Sequence, residues 1–192
     1  MVTTAERGRE VRQRLLRAAA ELIAERGWSA VSTRMLAERA GVAPGLVHYH
    51  FSSVQAVLVE AAVGAARDLA AQAGPALAAA QSAEEGVAAL FGMLDAHTGT
   101  DPTSVLFVEA YLAATRDEAL RAALGAVIGE FRRLLADLLD AHAVPDPAAT
   151  ALVLTAAVDG LLVHRALRPG PDGADVTAVL RRLLSARPED RG

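Results

Sequence analysis

The 192 residues are 53% hydrophobic but only 4% aromatic, an alanine- and leucine-rich balance that argues against a β-rich fold and for helices nearly throughout. Cysteine is absent, which excludes disulfide scaffolds, thiolate zinc sites and cysteine nucleophiles. The formal charge is −4, and all 19 basic residues are arginine, so the chain as a whole is no polycation for nucleic acid. The length suits one large domain or two small ones.

Apolar residues Val11, Leu15, Ala19, Leu22 and Ile23 recur at helical spacing and predict a first helix over Glu6–Arg26, ended by Gly27. A short second helix is expected over Thr33–Ala40, capped by Ser32 or Thr33 and stopped by Gly41. Pro44 suits the first turn of a third, Pro44–His50. Ser52 or Ser53 opens a fourth, Val54 to about Ala73, interrupted at Gly74-Pro75. Ser82 and Glu85 have the spacing of a capping box before a helix reaching about His97. Asp101-Pro102 begins the next, to Thr115. Asp117 opens a long one to about Ala143, and Asp146-Pro147 another to about Arg168. A last helix covers Ala174–Ser185 before a frayed tail, 187–192. The reading is all-α, about nine helices: a three-helix head over 1–53 and a larger helical body over 54–186.

Charge divides the same way. Residues 1–51 carry eight arginines against five glutamates, a local +3, and the remainder carries −7. A basic head on an acidic body suits nucleic-acid binding, although a charge cluster is equally a solvated face. No charge-free stretch reaches membrane-spanning length, since the apolar run from Pro147 stops at Asp159. The first residues alternate in charge and lack the apolar run of a signal peptide, so a cytoplasmic protein without a membrane partner is expected.

Within Thr33–Phe51, Gly41 offers the positive φ of a tight turn, and the small Ala37 four residues earlier lets two helices cross closely. Leu36, Ala40, Val42, Val47 and Phe51 are spaced to pin both helices onto the stripe of the first. Such a unit is a helix-turn-helix, whose second helix enters the major groove by its N-terminal end. A plain helical hairpin is the competing reading.

From Leu15 to Ala62 the chain resembles the N-terminal domain of the TetR/AcrR family of bacterial transcriptional regulators. The resemblance rests on LLRAAAELIAERGW, on STRMLAERAGVAPGLVHYHF and on the helix opening at Ser53. His48-Tyr49-His50-Phe51 is close to the family's aromatic-aromatic-His-Phe ending, and Val158-Asp159-Gly160-Leu161 is similar to an Asp-Gly-Leu in the family's dimer-forming helix. The resemblance implies that Thr33 donates to phosphate and that Arg34 touches phosphate or a base edge. It implies that Pro44 and Gly45 approach base edges, and that His48 and Tyr49 reach the groove or the backbone. His50 binds phosphate or packs the following junction. Two departures stand out: Val54 replaces a frequent lysine, and position 46 is Leu46, so the recognition helix has no arginine or lysine. Attachment then falls to Arg34, Arg39 and Arg7, Arg9, Arg12 and Arg14, with Leu46 or Pro44 against thymine methyls.

For the body, the family implies a small-molecule pocket and a homodimer, with repression commoner than activation. The large or polar residues Phe91, Met93, His97, Phe107, Glu109, Tyr111, Phe131 and His164 are the candidates for ligand contact, each of which could equally be core. Broad apolar faces on the last two helices suggest an interface through Leu154, Val158, Gly160, Leu161, Val179 and Leu183, or an internal core. No Glu-x-x-His pair, glycine-rich phosphate loop or metal-ligand spacing is visible. No enzyme, cofactor or metal is therefore expected. The partners are an operator in double-stranded DNA, an effector of unknown identity and a second copy of the chain. The competing function is a DNA-independent ligand-binding dimer with a degenerate head.

Overall fold

The computed structural model describes residues 3–167 and 173–185. Among them the chain is helical, without strands: α1 (Thr4–Arg26), α2 (Thr33–Ala40), α3 (Pro44–His50), α4 (Val54–Ala79), α5 (Ala83–Gly92), α6 (Pro102–Ala114), α7 (Glu118–Ala141), α8 (Pro147–Leu167) and α9 (Gly173–Ser185). Single 3-10 turns follow α1 (Trp28–Ala30) and α5 (Met93–Ala96). The frayed tail expected at 187–192 lies outside the described residues.

Local chemistry accounts for most boundaries. Thr3 and Glu6 close a reciprocal capping box at the start of α1, which moves that start two residues ahead of the expected Glu6. Ser32 caps α2 by accepting from the Met35 N–H, and Gly41 ends it in the left-handed conformation at φ 63°. Pro44 occupies the first turn of α3. Asp117 caps α7 by accepting from the Leu120 N–H at 2.9 Å.

Three expectations need correction. α4 does not stop at Ala73; it runs through Pro75 to Ala79, because Ala73 and Leu77 on either side of the proline are both buried. α5 ends at Gly92 rather than near His97, and Met93–Ala96 tightens to 3-10 geometry. At its start Ser82 accepts from the Glu85 N–H, but the Glu85 carboxylate accepts from Gln81, so the box closes one residue early.

Packing divides the chain into two compact units that do not follow the motif boundary at 53. One combines Met1–Asp68 with Pro102–Val127, the other Leu69–Asp101 with Ile128–Gly192. In the first, α1 packs against α2 and α6, and α2 against α3. Its core joins Leu15, Ala19, Leu22 and Ile23 of α1 with Leu36, Ala40, Val47 and Phe51, and with Leu106 and Ala110 of α6. In the second, α5 packs on α9, over a core of Phe91, Leu94, Leu135, Leu139, Ala151, Leu154 and Leu162. α8 is long and apolar enough, by length and composition, to cross a membrane (mean hydropathy 1.5 over its best window). Its Ala151, Leu154 and Leu162 are buried in the second unit's core, and Thr155 is buried as well.

Candidate nucleic-acid interface

The α2–turn–α3 unit is held from behind. Val47, fully buried, and Phe51 anchor α3, while Leu36, Ala37 and Ala40 anchor α2. The opposite face is open: Arg34, Pro44, Gly45 and His48 are exposed, and Tyr49 is 80% exposed, an unusual state for so large a ring. A Cβ built on Gly45 would meet nothing within 4 Å, so the N-terminal turn of α3 presents bare backbone. Thr33, Leu46 and His50 are half-buried at the margin. The Tyr49 and His50 rings meet edge to face at 5.0 Å, and His50 also lies beside Gly8 of α1, so it packs the edge of this surface.

Three arginines expected to serve attachment have partners within the first unit. Arg39 pairs with Glu25 at 2.6 Å and Glu21 at 3.1 Å, and these hydrogen bonds, that to Glu25 first, raise its pKa beyond the ordinary arginine value. Arg12 grips Glu60 with its two terminal guanidinium nitrogens and lies 4.7 Å from the Phe51 ring centroid. Arg14 donates to the carbonyls of Ala40 and Gly41, where α2 leaves its last acceptors unpaired. Periodicity alone could not reveal these partners, which lie 14 to 48 residues away in sequence.

The residues expected to contact a ligand are dispersed. Phe107, Glu109 and Tyr111 belong to the first unit; Phe91, Met93, His97, Phe131 and His164 belong to the second. Phe91 is fully buried core, while Met93 and Phe131 are half-buried against that same core. His97 accepts or donates at 3.2 Å with Asp101, and His164 is exposed. A half-open cleft of about 430 Å³ does exist in the first unit, lined by Trp28, Val31, Val54, Gln55, Leu58, Glu109, Leu112 and Asp117 among others. Of the expected residues only Glu109 reaches it. Trp28 ends a motif block and Asp117 opens a helix, but neither signal points to a cleft, and Gln55 carries no signal at all. Among the described residues no three metal-ligating side chains cluster.

The residues expected at an interface through the last helices differ in how open they are. Leu154 is buried, and Val158 and Leu161 pack against their own subunit's core. The open apolar face of α8 instead carries Leu152, Val153, Val163 and Leu167. Gly160 has open space around it, and Val179 of α9 is exposed; the Leu183 side chain lies outside the described residues.

A helix-turn-helix whose second helix offers an open N-terminal turn defines a DNA-binding transcriptional regulator. Residues 15–61 match the family model for bacterial regulatory proteins of the tetR family, and residues 81–186 match that of the tetracyclin repressor-like C-terminal domain. The HTH-type transcriptional regulator BetI of Agrobacterium fabrum (strain C58 / ATCC 33970) is 31% identical over 164 residues, covering 84% of this chain and 80% of that protein. Among solved structures, SCO7518 of Streptomyces coelicolor A3(2) is 32% identical with a TM-score of 0.73, over 92% of this chain and 99% of that one. EbrR, a multidrug binding protein solved with imidazole, is 31% identical with a TM-score of 0.68, over 95% of each chain. The chain belongs to the TetR family of transcriptional regulators.

Proposed function

We propose that the protein is a homodimeric repressor that binds a near-palindromic operator and is released from it by a small molecule. The observation that carries the reading is the open face of α3, where Pro44, Gly45, His48 and the 80% exposed Tyr49 stand beside Arg34 on a helix anchored by Val47. On this reading Gly45 lets the backbone approach base edges, and Pro44 and Leu46 meet thymine methyls. Arg34 and Thr33 hold phosphate, joined by His48, Tyr49 and the margin residue His50. With Arg12, Arg14 and Arg39 engaged internally, few phosphates are neutralised, and affinity falls only gently with salt.

The dimer forms through the open face of α8, where Val153, Ala156, Gly160, Val163 and Leu167 recur at three- and four-residue steps. Two such heads read half-sites about 34–36 Å apart. EbrR is a multidrug binding protein, which supports an effector that is held in the C-terminal domain here. Within the second unit the half-buried Met93, His97 and Phe131 are the side chains assigned to it. Such a ligand lowers operator affinity by the difference in its binding free energy between the two body conformations.

Selection of bound duplexes from a random library at about 100 mM salt tests the reading. Recovery of a palindrome with half-sites one turn apart supports it. A folded dimer that recovers nothing above background, even at lowered salt, overturns it and leaves a DNA-independent ligand-binding protein.

A further inference from the structure

The cleft in the first unit is bounded by a chain of hydrogen bonds. The Trp28 backbone N–H donates to Glu109 Oε2 at 2.8 Å, and the Trp28 indole N–H donates to Gln55 Oε1 at 3.3 Å. Gln55 Nε2 donates to Asp117 Oδ2 at 2.8 Å, and Asp117 Oδ1 takes the Leu120 N–H. Both Asp117 oxygens and both ends of the Gln55 amide are therefore occupied. Glu109 differs. Its second oxygen, Oε1, accepts from no donor among the described residues, and no ion pair there joins the carboxylate to Arg116 on the same lining. It stands half-buried amid Trp28, Val31, Val54, Leu58, Leu112 and Ala113. A carboxylate oxygen that faces solvent beside apolar side chains can take a positively charged hydrogen-bond donor.

We propose that this cleft is a binding site for a compact organic cation, an ammonium carried on an apolar body, with Glu109 as its counter-ion. The volume falls within the range of small-molecule sites, and apolar side chains beside a few fixed polar groups are what such sites use. An anion would meet two carboxylates, Glu109 and Asp117, at the walls, whereas exposed Arg116 stays solvated at the rim. The site is separate from the effector side chains assigned above to the second unit, and it does not depend on operator binding.

Trp28 is the one tryptophan in the chain and lines the cleft, so its emission reports occupancy directly. The full-length protein would be titrated with benzylammonium, benzyl alcohol and benzoate as matched probes. Saturable change is expected with benzylammonium, about tenfold tighter than with benzyl alcohol and absent with benzoate. Glu109→Gln keeps an acceptor for the Trp28 N–H but removes the charge, and should weaken benzylammonium about tenfold while sparing benzyl alcohol. Leu112→Lys, at a wall position that is 53% exposed and tolerant of change, should abolish the benzylammonium response. Equal responses to benzoate, no saturable response to any probe, or a benzylammonium affinity unmoved by both folded variants would each overturn the proposal.

Discussion

Gly99 lies so close beneath the last turn of α8 that a Cβ built on it would stand 2.3 Å from the Ala166 backbone nitrogen and 2.6 Å from the Leu162 carbonyl oxygen. Its φ of +83° is in the range L side chains rarely adopt, so space and conformation both demand glycine. Neighbouring Arg165 fastens the same region by donating to the carbonyls of Leu94 and His97 and to the Asp95 carboxylate. Gly99→Ala should cost about 3 kcal/mol or more, because backbone rather than a flexible side chain blocks the methyl group. Thermal unfolding followed by circular dichroism checks this; a loss under about 1 kcal/mol would contradict the close approach.

Arg34 and Arg39 should separate DNA attachment from folding. Arg34→Ala should reduce operator affinity and flatten its salt dependence, leaving the unfolding midpoint within error. Arg39→Ala removes an exposed network with Glu21 and Glu25, which solvent and salt screen. It should lower stability slightly and leave the salt slope unchanged. Parallel salt titrations and melts of the two variants give the comparison, and a steeper loss of salt slope for Arg39→Ala would reverse the assignment.

Acid stability should depend on Asp117. Its pKa is held below the ordinary 3.8, first by the Leu120 N–H and then by Gln55. Protonation is therefore easier in the unfolded chain, and the stabilisation is fully present above pH 3.8. It is lost as pH falls through the lower folded value. Asp117→Ala should cost about 1 kcal/mol at neutral pH through loss of the helix cap. The gap from the unmodified protein should narrow progressively in acid. Urea melts from pH 6 downward follow the two; a gap that widens below pH 3.8 would refute the sign.

The two faces of α8 should respond differently. Val153→Glu on the open face should convert dimer to monomer at unchanged helicity, as measured by light scattering. Leu154→Ala on the buried face should cost about 2–5 kcal/mol in stability. A monomer from Leu154→Ala together with an intact dimer from Val153→Glu would restore the phase first expected from the sequence.

The head was legible because its boundary chemistry is local: Ser32, Gly41 and Pro44 each act on backbone within a few residues. The recognition face could likewise be anticipated from Val47 and Phe51, whose spacing fixes which side of α3 is buried. Further along, alanine-rich helices are apolar on several sides, and periodicity leaves their rotation open. For that reason the pattern does not tell that Leu154 is buried and Val153 open. The fate of Arg12 and Arg39 was hidden for another reason, since an arginine at a surface position serves an ion pair or a phosphate equally well. The cleft beside Trp28 depends on residues from three separate stretches, a juxtaposition that no local pattern encodes.

Pro75 has no amide hydrogen, so within continuous α4 the carbonyl of Ala71 lacks its usual donor four residues ahead. The helix is thus mechanically uneven, with one missing rung just after Gly74 and complete turns on either side. Bending there breaks no hydrogen bond that is not already lost, whereas bending elsewhere along the rod stretches intact ones. Where the rod yields is set by one imino acid.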